Sequence, residues 1–230
     1  DKIDQTVTQG GYSKHIVVRE EFVVKVPAKL DISKAAPILC AGITTYSPLR
    51  KWNVGKGTRV GVVGLGGLGH MGVKLAVAMG AEVTVISRSK DKTDYAKSLG
   101  AKGLLCTNDE EAMAKAASSF DFILDTVPVK HDFNTYTPLL DIDGSLVLVG
   151  QIGPMEEPLT FPLVFGRRRI AGSLIGGLKE TQEVLDFCAE HGILPDCEQI
   201  KPSQINEAWN KLIKENPAHR FVINMKDLNV

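Results

Sequence analysis

Three glycines with a fixed spacing are the first candidates for chemistry in this 230-residue chain. Gly64, Gly66 and Gly69 form a G-x-G-x-x-G motif between an apolar segment at 59–63 and a helix-like segment at 68–79. In a strand–turn–helix unit, these glycines permit a tight turn, a close approach of pyrophosphate to the backbone, and close helix–strand packing. The free N–H groups at the helix start then bind the anion. The motif predicts a dinucleotide site; the alternative is a glycine-rich turn that binds nothing.

The segment after the second predicted strand indicates which dinucleotide is bound. An NAD site normally has an acidic residue there, which binds the ribose 2′-hydroxyl. This chain instead has Ser87-Arg88-Ser89-Lys90-Asp91-Lys92. Ser87, Arg88 and Lys92 are suited to a 2′-phosphate, and one charge-assisted hydrogen bond contributes roughly 1.5–3 kcal/mol, about tenfold to a hundredfold in affinity. The sequence therefore favours NADP, with a solvated basic turn as the alternative.

The cysteines and histidines form no metal-binding pattern of their own. Cys40, Cys106, Cys188 and Cys197 are scattered without a C-x-x-C pair, and no two of the five histidines stand at ligand spacing. A structural zinc site of four cysteines is therefore not predicted. Taken alone, Cys40 is a small buried hydrophobe, since one thiolate cannot supply the three protein ligands of a catalytic zinc.

Alternating strands and helices must position these residues. Short apolar strands are predicted at 59–63, 83–86, 103–105, 120–124, 146–149 and 170–174, with helices between them, one of which lies near 133–140. Strands that alternate with helices imply right-handed crossovers and a parallel sheet. The fold class is therefore predicted as α/β, a doubly wound parallel six-stranded Rossmann sheet over roughly residues 55–190.

The flanking segments have a different pattern. Residues 10–18 and 22–26 alternate with period two and predict two strands, which need further partners to bury a face. Ser33 is predicted to cap a helix, and a second helix is predicted from Cys40 to Trp52. After residue 193, we predict a strand at 198–200, a helix opened by Ser203, and a last strand at 221–225 that returns to the sheet begun by 10–26.

Composition excludes several classes of protein. The chain is 43% hydrophobic and 23% charged, near the average for globular proteins, and its 27 basic and 27 acidic residues cancel. No chain-wide basic field favours nucleic acid or anionic lipid, and no run approaches the ~18 apolar residues of a membrane span. With few thiols and no apolar leader at Asp1, we expect a cytoplasmic protein.

One segment is recognisable as a family signature. Ala36-Pro37-Ile38-Leu39-Cys40-Ala41-Gly42-Ile43-Thr44-Thr45-Tyr46-Ser47-Pro48-Leu49 resembles the signature of zinc-dependent medium-chain alcohol dehydrogenases, and more narrowly their cinnamyl alcohol dehydrogenase branch. Gly64–Gly69 followed by His70-Met71-Gly72, and the segments Ser87-Arg88-Ser89, Leu148-Val149-Gly150, 170–177 and Arg220-Phe221-Val222-Ile223, fit the same branch. The resemblance extends over essentially the whole chain.

The resemblance implies roles for individual residues. Cys40 matches the third protein ligand of the catalytic zinc and Thr44 a catalytic residue beside the nicotinamide. The expected cofactor-binding residues are Thr44, Gly64, Gly66, Gly67, Leu68 and Gly69, then Ser87, Arg88 and Lys92 at the 2′-phosphate, then Thr126, Val149, Gly150, Ser173 and Ile175 along the nicotinamide riboside, and Arg220. In such enzymes, zinc polarises the oxygen of a small alcohol or aldehyde, and hydride is exchanged with the nicotinamide.

The chain departs from the family in length, since members run to about 350 residues in two domains. We expect residues 1–42 to be the end of a β-rich GroES-like catalytic domain, 43–190 the NADP-binding domain, and 191–230 the returning segment. The first cysteine ligand, the G-H-E motif with its histidine ligand, and the structural zinc lobe have no counterpart here. This chain alone is therefore expected not to hold catalytic zinc tightly. A homodimer through the sixth-strand edge near Leu174-Ile175 is also implied.

Two other functions stay open. A dinucleotide-binding module without chemistry would need the same glycine motif and no zinc. A zinc-free quinone reductase is a weaker alternative, because the Cys40 signature and Ser87-Arg88-Ser89 argue against it.

Overall fold

A computed structural model describes residues 11–150, 153–215, 217 and 219–228. Its centre is a six-stranded parallel sheet in the order β3-β2-β1-β4-β5-β6. The strands are β1 Arg59–Val63, β2 Glu82–Ser87, β3 Gly103–Cys106, β4 Phe120–Asp125, β5 Leu140–Leu148 and β6 Arg169–Gly172. The predicted doubly wound Rossmann sheet is therefore confirmed, and its strand order reverses direction between β1 and β4.

Helices cover both faces of this sheet. They are α1 Ile32–Ala35, α2 Ala41–Lys51, α3 Gly69–Ala78, α4 Thr93–Ser98, α5 Glu110–Lys115, α6 Thr160–Gly166, α7 Leu178–His191 and α8 Ile205–Glu215. Because successive strand residues point to opposite faces, Val62 belongs to one buried cluster and its neighbour Val63 to the other. The strands are consequently apolar on both sides, as a parallel sheet covered by two helical layers requires.

The segment before α1 contradicts the prediction of two strands. Residues 11–29 contain no strand; the structure has one 3₁₀ turn at Glu20–Phe22, and Gly10 lies outside the described residues. Residues 11–20 are exposed throughout, and a period-two pattern without a hydrogen-bonding partner forms no ladder. The prediction that Ser33 caps the helix was also wrong by two positions. The cap is Asp31, whose carboxylate accepts the Ser33 N–H at 3.0 Å.

Two further predictions are corrected after β4. The helix expected near 133–140 is a pair of 3₁₀ turns, Phe133–Thr135 and Thr137–Leu139, with Pro138 inside the second. The last strand, β8 Arg220–Ile223, pairs in parallel with β7 Cys197–Ile200 rather than with the segment 10–26. Helix α8 connects these two strands, so the tail forms its own small β–α–β unit.

In the part of the chain that the structure describes, every helix is too short or too polar to cross a membrane.

Candidate functional site

The candidate residues meet at the carboxyl edge of the sheet. Gly64, Thr126, Val149 and Ser173 each follow the last residue of a strand, and Ser87 is the last residue of β2. Backbone hydrogen bonds continue the ladder through this row, from Thr126 N–H to Val63 O (3.1 Å) and from Val149 N–H to Asp125 O (2.9 Å). Because the strand order reverses between β1 and β4, a crevice opens at this point, where ligands bind in such folds.

The glycine loop between β1 and α3 has a shape that only glycine permits at two positions. Gly64 has φ +83°, in the left-handed region. A β-carbon built on Gly69 would lie 2.1 Å from the Gly64 carbonyl oxygen, far inside van der Waals contact. The start of α3 therefore packs directly on the turn.

An arginine from the tail lies against this loop. A β-carbon built on Gly67 would lie 1.9 Å from the Arg220 guanidinium carbon, so the side chain occupies the space that glycine leaves free. Arg220 is the first residue of β8, 153 positions beyond Gly67 in the sequence. Burial lowers the pKa of the guanidinium from its ordinary value, but an arginine stays charged. A cation therefore stands beside the helix terminus that the glycine motif provides.

Three cations follow β2, and their pairing differs. Lys90 Nζ forms a salt bridge with Asp109 at 2.9 Å. Lys92 Nζ donates to the Leu65 carbonyl oxygen of the glycine loop at 3.1 Å. Arg88 is exposed and has no carboxylate partner within the described residues. The two cations that the sequence assigned to a phosphate are therefore not neutralised by an acid, whereas the third is.

The loops after β4 and β5 touch each other. A β-carbon on Gly150 would lie 2.5 Å from the Thr126 carbonyl carbon, so these loops approach at backbone distance. The Thr126 hydroxyl donates to Val63 O at 2.8 Å and thereby joins the ends of β4 and β1. Thr126, Val149 and Gly150 consequently line one wall of the crevice.

The other candidates lie toward α2. The Ser173 N–H donates to Leu148 O at 3.1 Å, and Ile175 has φ +50°, a strained conformation for a β-branched residue. A β-carbon on Gly176 would lie 2.6 Å from Ile43 Cδ1 of α2, so this loop packs on the helix that carries Thr44. Thr44 itself is 7% exposed. The structure therefore brings the two groups of residues to the same end of the crevice.

Cys40 immediately precedes α2 and is exposed, so the interpretation of this cysteine as a small buried hydrophobe is wrong. It lies close enough to Arg220 for their charges to interact. Among the described residues, no group of three or more His, Cys, Asp or Glu side chains is arranged to hold a metal ion. A catalytic zinc has three protein ligands, so the side chains around Cys40 in this part of the chain do not fit one.

Two polar pairs near the crevice escaped the sequence analysis as sites. His131 Nε2 lies 2.6 Å from the buried Asp125 carboxylate; burial raises the pKa of Asp125, and hydrogen bonds to Val127 N–H and His131 oppose that rise. His70 is fully buried, with Nδ1 3.3 Å from Gly66 O and Nε2 3.2 Å from the Asp196 N–H. Asp125 and His131 are six residues apart across a loop, and His70 and Asp196 are 126 residues apart. Neither spacing is a sequence motif that would have predicted the pair.

The chain is similar in sequence to known proteins. Residues 67–190 match the family model described as zinc-binding dehydrogenase. The NADP-dependent alcohol dehydrogenase C 1 of Mycolicibacterium smegmatis is 52% identical over 226 residues, which cover 98% of this chain and 64% of the relative. The chain thus spans about 64% of the length of the curated relatives that it matches.

Solved structures give the same similarity. A cinnamyl alcohol dehydrogenase from Sorghum bicolor superposes with a TM-score of 0.88 at 41% identity, covering 92% of this chain and 61% of that one. A CAD from Helicobacter pylori complexed with NADP(H) superposes with a TM-score of 0.82 at 41% identity, covering 96% of this chain and 63% of that one.

Proposed function

The chain belongs to the zinc-binding dehydrogenase family, and on that premise we propose that it binds NADP(H) and works in hydride transfer between the nicotinamide and a small primary alcohol or aldehyde. The single observation that carries the cofactor proposal is the cationic cradle at the carboxyl edge of the sheet. It consists of the Arg220 guanidinium against Gly67, with Arg88 and Lys92 where an NAD site would have an acid.

The proposed roles follow the row of strand ends. The N–H groups at the start of α3 and Arg220 bind the pyrophosphate, and Gly64, Gly66, Gly67, Leu68 and Gly69 shape this loop. Ser87, Arg88 and Lys92 bind the 2′-phosphate. Thr126, Val149, Gly150, Ser173, Ile175 and Thr44 orient the nicotinamide riboside and exclude water from it. The cofactor, when bound, supplies or accepts the hydride at its nicotinamide ring.

We derive no step through a metal ion, since the described residues around Cys40 do not form a zinc site. In the family, Cys40 matches a zinc ligand, and we propose it as one donor that needs at least two others. A second candidate function is therefore an NADP-binding module without chemistry. The observation that favours it is that the described residues around Cys40 do not form a zinc site. Aldehyde-dependent oxidation of NADPH, followed by absorbance with and without added zinc, separates the two: turnover supports the oxidoreductase, and binding without turnover supports the module.

Titration tests the cofactor proposal directly. We expect NADPH to bind at least about tenfold more tightly than NADH at matched ionic strength, because a charge-assisted bond to the 2′-phosphate contributes roughly 1.5–3 kcal/mol. Arg88→Ala should weaken NADPH binding by about tenfold and leave NADH almost unchanged. Lys90→Ala is the matched control, since Asp109 already holds that lysine. Equal affinities for the two nucleotides, or equal effects of the two substitutions, would contradict the assignment.

Organisation beyond the site is proposed on similar grounds. The proposed division at 190/191 is supported by the separate β7–β8 sheet of the tail, and the division at 42/43 rests on the resemblance alone. A homodimer is proposed through the free edge of β6, where Leu174 is 78% exposed and the nearby α6 residues Phe161 and Phe165 are 70% and 79% exposed. A monomeric mass by sedimentation at micromolar concentration would contradict it.

Four free thiols support the proposed cytoplasmic location.

A further inference from the structure

Asp196, in the loop before β7, uses all four of its polar atoms to join separate elements. Its N–H donates to His70 Nε2 (3.2 Å) and its carbonyl accepts the Arg220 N–H (2.8 Å). Its carboxylate accepts from Lys74 Nζ at 2.6 Å on one oxygen and from the Tyr95 hydroxyl at 2.6 Å on the other. Asp196 therefore forms hydrogen bonds with residues of helices α3 and α4 and of strand β8.

The charges at this junction are matched. Burial disfavours the Asp196 carboxylate, but the hydrogen bonds from Lys74 and Tyr95 outweigh burial and hold its pKa below the ordinary value. Lys74 also donates to Leu194 O at 2.8 Å, so the loop is held at two points. Burial lowers the pKa of His70 to about 4, which leaves its Nε2 free to accept the Asp196 N–H.

The junction contacts both sides of the anion cradle. On one side, the neutral His70 carries its proton on Nδ1, which faces Gly66 O of the glycine loop at 3.3 Å. On the other side, the bond to the Arg220 N–H fixes the backbone of the residue whose guanidinium lies against Gly67. Asp196 therefore contacts both the histidine that faces the glycine loop and the strand that carries the cation.

We propose that Asp196 is a positioning residue for the dinucleotide pyrophosphate: it holds the Arg220 guanidinium at its place over the Gly66–Gly67 turn. This inference rests on the proposed binding of NADP(H). It predicts that a residue which touches no ligand changes affinity for the pyrophosphate more strongly than affinity at the 2′-phosphate subsite, which it reaches only through Tyr95 of α4. The loss of a residue with a purely structural role would weaken binding at both subsites together.

The test compares two probes on the full chain. NADPH carries the pyrophosphate, whereas adenosine 2′-monophosphate carries the adenosine and the 2′-phosphate without it. Asp196→Asn, which removes the charge and keeps both backbone bonds, should weaken NADPH by about tenfold and adenosine 2′-monophosphate by less than about twofold. Asp121→Asn is the matched control, since Asp121 pairs with Arg59 at the opposite edge of the sheet. Tyr95→Phe removes one bond to the same carboxylate and provides a milder variant should Asp196→Asn unfold.

A double-mutant cycle decides whether the effect passes through the arginine. In the Arg220→Gln background, Asp196→Asn should change NADPH affinity by less than about twofold, because the group that it positions is gone. An undiminished effect in that background, equal losses for both probes, or no loss for NADPH in Asp196→Asn and Tyr95→Phe would overturn the inference while NADP binding stands. If the unmodified chain binds neither probe, the proposed function itself is overturned.

Discussion

The buried His70 makes a quantitative prediction about pH and stability. Burial and then the Lys74 charge lower its pKa, Arg220 adds to this, and Gly66 O and Asp196 oppose it; the result is a fall from 6.5 to about 4. The unfolded chain therefore binds a proton between these pH values that the folded chain does not bind. Stability contributed by the neutral imidazole is complete above about pH 6.5 and is lost as the pH falls toward about 4.

The size of the effect follows from the shift. Each pKa unit corresponds to about 1.36 kcal/mol, so the whole transition is worth about 3 kcal/mol, and the part between about pH 7 and about pH 5 about 2 kcal/mol. Carboxylates also lose ion pairs over this range, so the stability of the unmodified chain alone does not isolate the histidine. His70→Gln keeps a neutral donor and acceptor without titrating and supplies the reference.

The assay is urea unfolding of both chains at several pH values. We expect the unmodified chain to lose about 2 kcal/mol relative to His70→Gln on going from about pH 7 to about pH 5. A constant offset between the unmodified chain and His70→Gln would refute the reasoning, because it would mean that the pKa of the imidazole is the same in the folded and unfolded chains.

Two further predictions concern the loop and the thiols. Gly69→Ala should destabilise the chain by about 2 kcal/mol or more, and lower NADPH affinity, because its β-carbon would meet a backbone carbonyl at 2.1 Å; Gly103→Ala, with nothing within 4 Å, should change the melting temperature little. Iodoacetamide should modify the exposed Cys40 in the folded chain and should modify Cys188 only on unfolding, since burial raises the pKa of Cys188 to about 12. Mass spectrometry of both thiols before and after addition of urea checks this. Modification of Cys188 before urea is added would contradict it.

The features that sequence predicted well are those that depend on short-range pattern. The strand β1, the glycine turn and the start of α3 form one continuous segment, so apolar runs and glycine spacing were enough to locate them. The resemblance to zinc-dependent alcohol dehydrogenases, found from the segment at 36–49, is confirmed by the family match over 67–190. The period-two pattern at 10–18 was misleading because a strand forms only when another strand pairs with it. The described residues provide no such pairing strand for this segment.

The missed features depend on contacts between distant parts of the chain. Asp196 has no motif around it, and its importance comes from residues 70, 74 and 95, which only folding brings to it. The pairing of β8 with β7 was missed for the same reason: its alternation indicates a strand but not a neighbour. The signal that could have led to Asp196 is indirect, since an arginine assigned to a cofactor 24 positions later needs something to hold it.

Net charge shows why whole-chain composition says little about this crevice. The 27 basic and 27 acidic residues cancel, which excludes a broad basic field. Locally, however, two carboxylates near the proposed site are already engaged, Asp109 with Lys90 and Asp196 with Lys74. Arg88 and Arg220 have no carboxylate partner among the described residues, so these two cations stay unneutralised although the molecule as a whole is neutral. The pairing of charges, rather than their number, therefore decides where we expect an anionic nucleotide to bind.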